Sequence, residues 1–98
     1  MLDPQTLDTL KKLTLTHINP TQHKVFVFGS HVRGNNRRWS DIDLGIDGDN
    51  NPLHPEVIIN LQDAFENSDL PYKVDIVNFA HVTPDFRASA LKHALYLN

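Results

Sequence analysis

The sequence predicts an α/β (α+β) domain: a small mixed three-stranded sheet flanked by helices. Two observations carry this. Three short β-branched and aromatic runs, Lys24–Phe28, Asp41–Ile46 and Tyr72–Asn78, have the composition of strands. Between and around them, apolar residues recur at helical spacing, and each such segment opens on a proline at its first position, Pro4, Pro55 and Pro84. The resulting order is α-β-β-α-β-α. With 98 residues the chain is expected to form one domain over 1–98 with a modest core.

Asp3-Pro4 starts the first helix, with Asp as cap, and Leu7, Leu10 and Leu13 form its apolar stripe, continued by Ile18. Asn19-Pro20 ends it. The first strand, Lys24–Phe28, stops at Gly29-Ser30, where a loop or short helix begins. Asn35 to Trp39 is polar except for one large aromatic, which is expected to pack rather than stack on a base. The second strand follows as Asp41–Ile46. Asp47-Gly48-Asp49-Asn50-Asn51-Pro52 is a turn. Its spaced acids do not make a calcium loop, because the sixth position is Pro52 rather than Gly and the twelfth is Ile58 rather than Glu. A second helix opens at His54-Pro55-Glu56 with Val57, Ile58, Leu61, Ala64 and Phe65 on its apolar face. The third strand is Tyr72–Asn78, and Thr83-Pro84-Asp85 caps a last helix whose stripe, Phe86, Ala90, Ala94 and Leu97, reaches nearly to residue 98. Three strands leave sheet edges that something must cover.

Composition narrows the function classes. The formal net charge is −3 with His neutral, which argues against broad nucleic-acid binding, although Arg33, Arg37 and Arg38 form a local basic patch. Without cysteine there is no disulfide, thiolate metal site or cysteine nucleophile. No apolar run is long enough to span a membrane and the first residues lack a signal-peptide pattern, so the cytoplasm is expected. The 6 histidines are scattered and form no ligand pair; His31, near the Gly-Ser turn, is expected to be an exposed loop side chain. Ser30 has no paired base in the sequence and is a poor candidate nucleophile.

The chemistry concentrates in Val25 to Gly48. Ten residues separate Ser30 from Asp41, and an acidic-apolar alternation, Asp41-Ile42-Asp43-Leu44, follows. In a strand, Asp41 and Asp43 share one face while Ile42, Leu44 and Ile46 share the other. Two adjacent carboxylates beside an apolar core carry a penalty on the order of several kcal/mol each unless something offsets their charge. A magnesium ion does this with one or two carboxylates plus substrate phosphates, and manganese accepts the same hard oxygen ligands. Gly29-Ser30 offers small residues, a hydroxyl and helix-start N–H groups where a phosphate approaches.

Gly-Ser, ten residues, then Asp-x-Asp resembles the signature of the nucleotidyltransferase superfamily that includes DNA polymerase beta. The fuller string GSHVRGNNRRWSDIDLGI resembles the minimal nucleotidyltransferases (MNT) paired with HEPN-domain partners. The family often has Arg-Ala-Arg-Gly after Gly-Ser; here the residues are His31-Val32-Arg33-Gly34. The resemblance implies the polymerase beta-like nucleotidyltransferase fold. It implies Asp41, Asp43 and Asp75 as catalytic carboxylates and metal ligands, with Asp75 helping to bind a second metal or accepting the hydroxyl proton. Gly29 and Ser30 would hold the triphosphate of ATP. Arg33 would contact phosphate or anchor the loop, and Ser40 would sit beside the nucleotide or orient the turn. It further implies an antitoxin that transfers AMP from ATP to a tyrosine of a HEPN toxin, with any oligomer formed through that partner. Two other functions fit the same sequence. One is an antitoxin that binds and occludes its partner without catalysis; the other is a nucleotidyltransferase acting on a small soluble acceptor.

Overall fold

Alternating strands and helices build a four-stranded sheet between two helical layers. The computed structural model describes residues 2–33, 41–48 and 51–98. Its elements are α1 (Pro4–His17), β1 (Lys24–Phe28), α2 (Ser30–Arg33), β2 (Ile42–Asp47), α3 (Pro55–Glu66), β3 (Val74–Asn78), a 3₁₀ turn (Phe79–His81), α4 (Pro84–Leu91) and β4 (Leu95–Tyr96). Asp3 caps α1 by accepting the Thr6 backbone N–H at 2.7 Å. That hydrogen bond holds the Asp3 carboxyl below the ordinary carboxylate range. Thr83 caps α4 in the same way, accepting from the Phe86 N–H. His54 precedes the proline of α3 without a side-chain cap bond.

The sheet order is β3-β2-β1-β4. β1 runs antiparallel to both neighbours, and β2 and β3 are parallel, joined by the α3 crossover. Period-two alternation divides the side chains. Val25 and Val27 of β1 and Ile42, Leu44 and Ile46 of β2 are buried with Leu10 of α1 and Leu61 and Phe65 of α3. Phe26 and Phe28 point the other way and, with Phe79, form a second core beneath α4. Gly45 lies on that face opposite Phe26. A Cβ there would come within 2.6 Å of Phe26 Cζ and 2.7 Å of Phe79 Cε1, so the two rings occupy the space a side chain would need.

The expected three-stranded sheet is corrected to four strands. The last helix ends at Leu91 rather than continuing to Leu97, and Leu95–Tyr96 pairs with Phe26 and Val27. Nothing in Ala90 to Leu97 breaks the helical pattern. What decides the conformation is the unpaired edge of β1, a tertiary demand that outweighs local periodicity. Leu97 N–H donates to Val25 O at 2.8 Å, and Asn98 Oδ1 accepts from the Val25 N–H at 2.8 Å. The second and third strands start one and two residues later than expected, at Ile42 and Val74.

Candidate active site

The site grows from the end of β1. After Phe28 the chain turns at Gly29, whose φ of 81° is left-handed and favours a residue without Cβ. A Cβ on Gly29 would also overlap the Asp43 carboxylate, which occupies that space. The turn and the carboxylate are thus packed against each other. Asp43 is half-buried, opposite Phe28 on one side and Asp75 on the other. In a parallel pair, residues in register present their side chains to the same face, so Asp43 and Asp75 stand side by side on adjacent strands. Asp75 is exposed on β3.

These residues form the floor of a cavity of about 340 Å³. Phe28, Gly29, Asp43, Asp75 and Val77 line it from the sheet, and Phe86, Ser89, Ala90 and His93 line it from α4 and the turn after it. Asp41 is exposed, one residue before β2, and is not part of this lining. Ser30 opens α2 and is half-buried; Arg33 is the last residue of that helix. Ser40, Trp39, Arg37 and Arg38 lie outside the described residues, as does the Arg33 side chain. Among the described residues no group of three or more His, Cys, Asp and Glu side chains is placed to hold a metal ion. Two carboxylates level on neighbouring strands, with a glycine leaving room against one of them, nevertheless fit magnesium. That ion takes one or two protein carboxylates and completes its octahedron with substrate phosphates and water.

Two features were not anticipated from sequence. His31 is buried, 2% exposed, with its ring edge-to-face on Tyr72 at 5.3 Å between centroids, so the expected exposed loop histidine is corrected. The α4 wall is the second. Phe86, Ser89 and His93 recur in sequence at the three- and four-residue spacing of a helical face, although His93 itself lies in the turn after α4 ends at Leu91. That repeat was the available signal, hidden because Phe86 also belongs to the apolar stripe. Arg87, between them, pairs with Asp47 of β2 and ties α4 to the sheet.

The polymerase beta nucleotidyltransferase family profile matches residues 9–97. The chain belongs to that nucleotidyltransferase family. The family match covers all four strands and every described side chain of the cavity. Among curated proteins, a probable protein adenylyltransferase MntA of Haemophilus influenzae is 40% identical over 65 residues, which is 66% of this chain and 56% of that protein. The matched stretch therefore spans just over half the length of that relative. A solved structure described as a minimal nucleotidyltransferase is 29% identical, with a TM-score of 0.68, covering 96% of this chain and 95% of the other. The fold also matches a toxin–antitoxin structure with AMP-PNP, with a TM-score of 0.74 at 22% identity, covering 94% of this chain and 72% of that one. It likewise matches the complex of a tri-AMPylated Shewanella oneidensis HEPN toxin with MNT antitoxin, with a TM-score of 0.70 at 18% identity, covering 96% and 70%. Among the described residues of this nucleotidyltransferase, no helix is long and apolar enough to cross a membrane.

Proposed function

We propose that this nucleotidyltransferase is an antitoxin that transfers AMP from ATP onto a tyrosine of a HEPN toxin. The observation carrying the proposal is the juxtaposition of Gly29, Asp43 and Asp75 at one end of the sheet. Its support from outside the chain is the 40% identity to a protein named as a protein adenylyltransferase.

In this reading Asp43 and Asp75 hold magnesium, with Asp41 as a further ligand from the segment leading into β2. The bound ion supplies charge neutralisation for the triphosphate and for the developing negative charge on the leaving group. The residues do the rest. Gly29 lets the backbone approach the triphosphate at the end of β1, and Ser30 offers its hydroxyl there. Arg33 and Ser40 complete the phosphate contacts. Asp75, the exposed carboxylate of the pair, receives the proton of the acceptor hydroxyl. The hydroxyl oxygen then bonds to the α-phosphorus, the bond from that phosphorus to the bridging oxygen breaks, and pyrophosphate leaves. Residues 1–98 act as a single nucleotidyltransferase domain, in the cytoplasm, with the acceptor presented by the partner.

The test is transfer of α-labelled AMP to a co-purified HEPN protein by wild type and by Asp43→Asn. Label on the partner, reduced on the order of a hundredfold or more in the variant, is expected. An unlabelled partner that the variant silences as well as wild type does would instead establish occlusion.

A further inference from the structure

The carboxylates and the Gly-Ser turn account for one end of the cavity and leave its α4 wall without a role. Phe86 is 44% exposed, although it belongs to an aromatic cluster. Its ring meets Phe28 edge-on, at 5.9 Å between centroids and 88° between planes, and Phe79 at 5.9 Å and 48°. Two rings therefore brace it from behind while nearly half its surface opens outward beside the cavity. The helix that carries it is fastened at both relevant points. Thr83 caps the first turn through the Phe86 N–H at 3.2 Å, and the neighbouring Arg87 pairs with Asp47 of β2. One turn further along α4 Ser89 adds a hydroxyl to the lining, and His93, in the turn after the helix ends at Leu91, adds an imidazole. The cavity thus pairs an anionic floor with a rigid apolar plane flanked by hydrogen-bonding groups.

Resting on the reading of the carboxylate end as a magnesium-triphosphate site, we propose that the α4 wall is the nucleobase subsite. Phe86 is its stacking surface, and Ser89 and His93 meet the base edge. A nucleoside triphosphate is the ligand class with this polarity: phosphates at one end, a flat aromatic ring at the other. The cavity volume of about 340 Å³ falls at the lower end of the range for small-molecule sites. Stacking on Phe86 favours any base, because every base has a π-face. Discrimination among bases therefore falls to Ser89 and His93. A fixed ring also contributes more than a mobile one, because little freedom is lost when the ligand docks.

The experiment is calorimetric titration of wild type, Phe86→Leu and Phe86→Trp with two ligands, a non-hydrolysable ATP analogue and inorganic tripolyphosphate, each with magnesium chloride. Leucine preserves packing on Phe28 and Phe79 while removing the ring. Phe86→Leu is expected to weaken the analogue about tenfold and leave tripolyphosphate unchanged. Phe86→Trp is expected to keep analogue affinity, and its added fluorescence should be quenched by the analogue but not by tripolyphosphate. Equal analogue affinity in wild type and Phe86→Leu would overturn the subsite, as would equal loss of both ligands in the leucine variant. A wild type that binds neither ligand would overturn the underlying magnesium-nucleotide reading as well, a different result from failure of Phe86 alone.

Discussion

At Gly29 two independent constraints fall on one residue: a left-handed φ and the Asp43 carboxylate in the place of a side chain. Gly29→Ala therefore strains the turn and displaces the carboxylate together. The expected outcome is a loss of about 1–3 kcal/mol in urea unfolding, accompanied by loss of nucleotide affinity. An alanine variant that kept both would mean that the turn relaxes without moving Asp43. Asp3 gives a pH-dependent case. Its carboxyl is held below its ordinary value by the Thr6 N–H, so its contribution to stability is complete above about pH 4 and disappears as pH falls through the folded-state pKa. Thermal unfolding should show Asp3→Ala less stable than wild type near neutral pH, with the gap closing in acid. At this scale the sequence was informative wherever a residue's neighbours in the chain decide its role. The turn at Gly29, the place of Asp43 on β2 and the caps at Asp3 and Thr83 are of that kind. His31 was not, because its burial depends on Tyr72, which arrives from a different loop.

At the scale of elements, α1, α3, the start of α4 and the first three strands follow from periodicity and caps, with the starts of β2 and β3 displaced by only one or two residues. The last segment did not follow. Leu91, Ala94, Leu95 and Leu97 fit a helix as well as a strand, and pairing with β1 selects between them. That choice also leaves α4 only eight residues long with none of them buried, so the helix relies on its attachments. One of them is the Arg87–Asp47 pair, in which the Asp47 side chain is 13% exposed and the Arg87 side chain 36%. A double-mutant cycle with Arg87→Gln and Asp47→Asn should return a coupling of about 1 kcal/mol. Arg87→Gln should also weaken nucleotide binding, since Phe86 rides on the same turn. Unchanged binding in a destabilised variant would separate the anchoring of α4 from the shape of the cavity.

For the whole molecule, the decisive connection joins residues far apart in the chain. Asn98 accepts from the Val25 N–H and donates to His23 O at 2.8 Å and Pro20 O at 3.1 Å. Asn98→Ala leaves those groups to find other partners and should cost about 1–3 kcal/mol in denaturant unfolding. A variant as stable as wild type would show that β4 is held by Leu97 and the strand pairing alone.

The same connection sets a timetable for biosynthesis. Asn98 follows Val25 by 73 residues, and β1 contributes Phe28 and the Gly29 turn to the cavity floor. A ribosome adding about 5–20 residues per second needs roughly 4–15 s to cover that distance. Throughout that interval one edge of β1 is uncovered, and the chain completes its sheet only once its residue 98 has emerged.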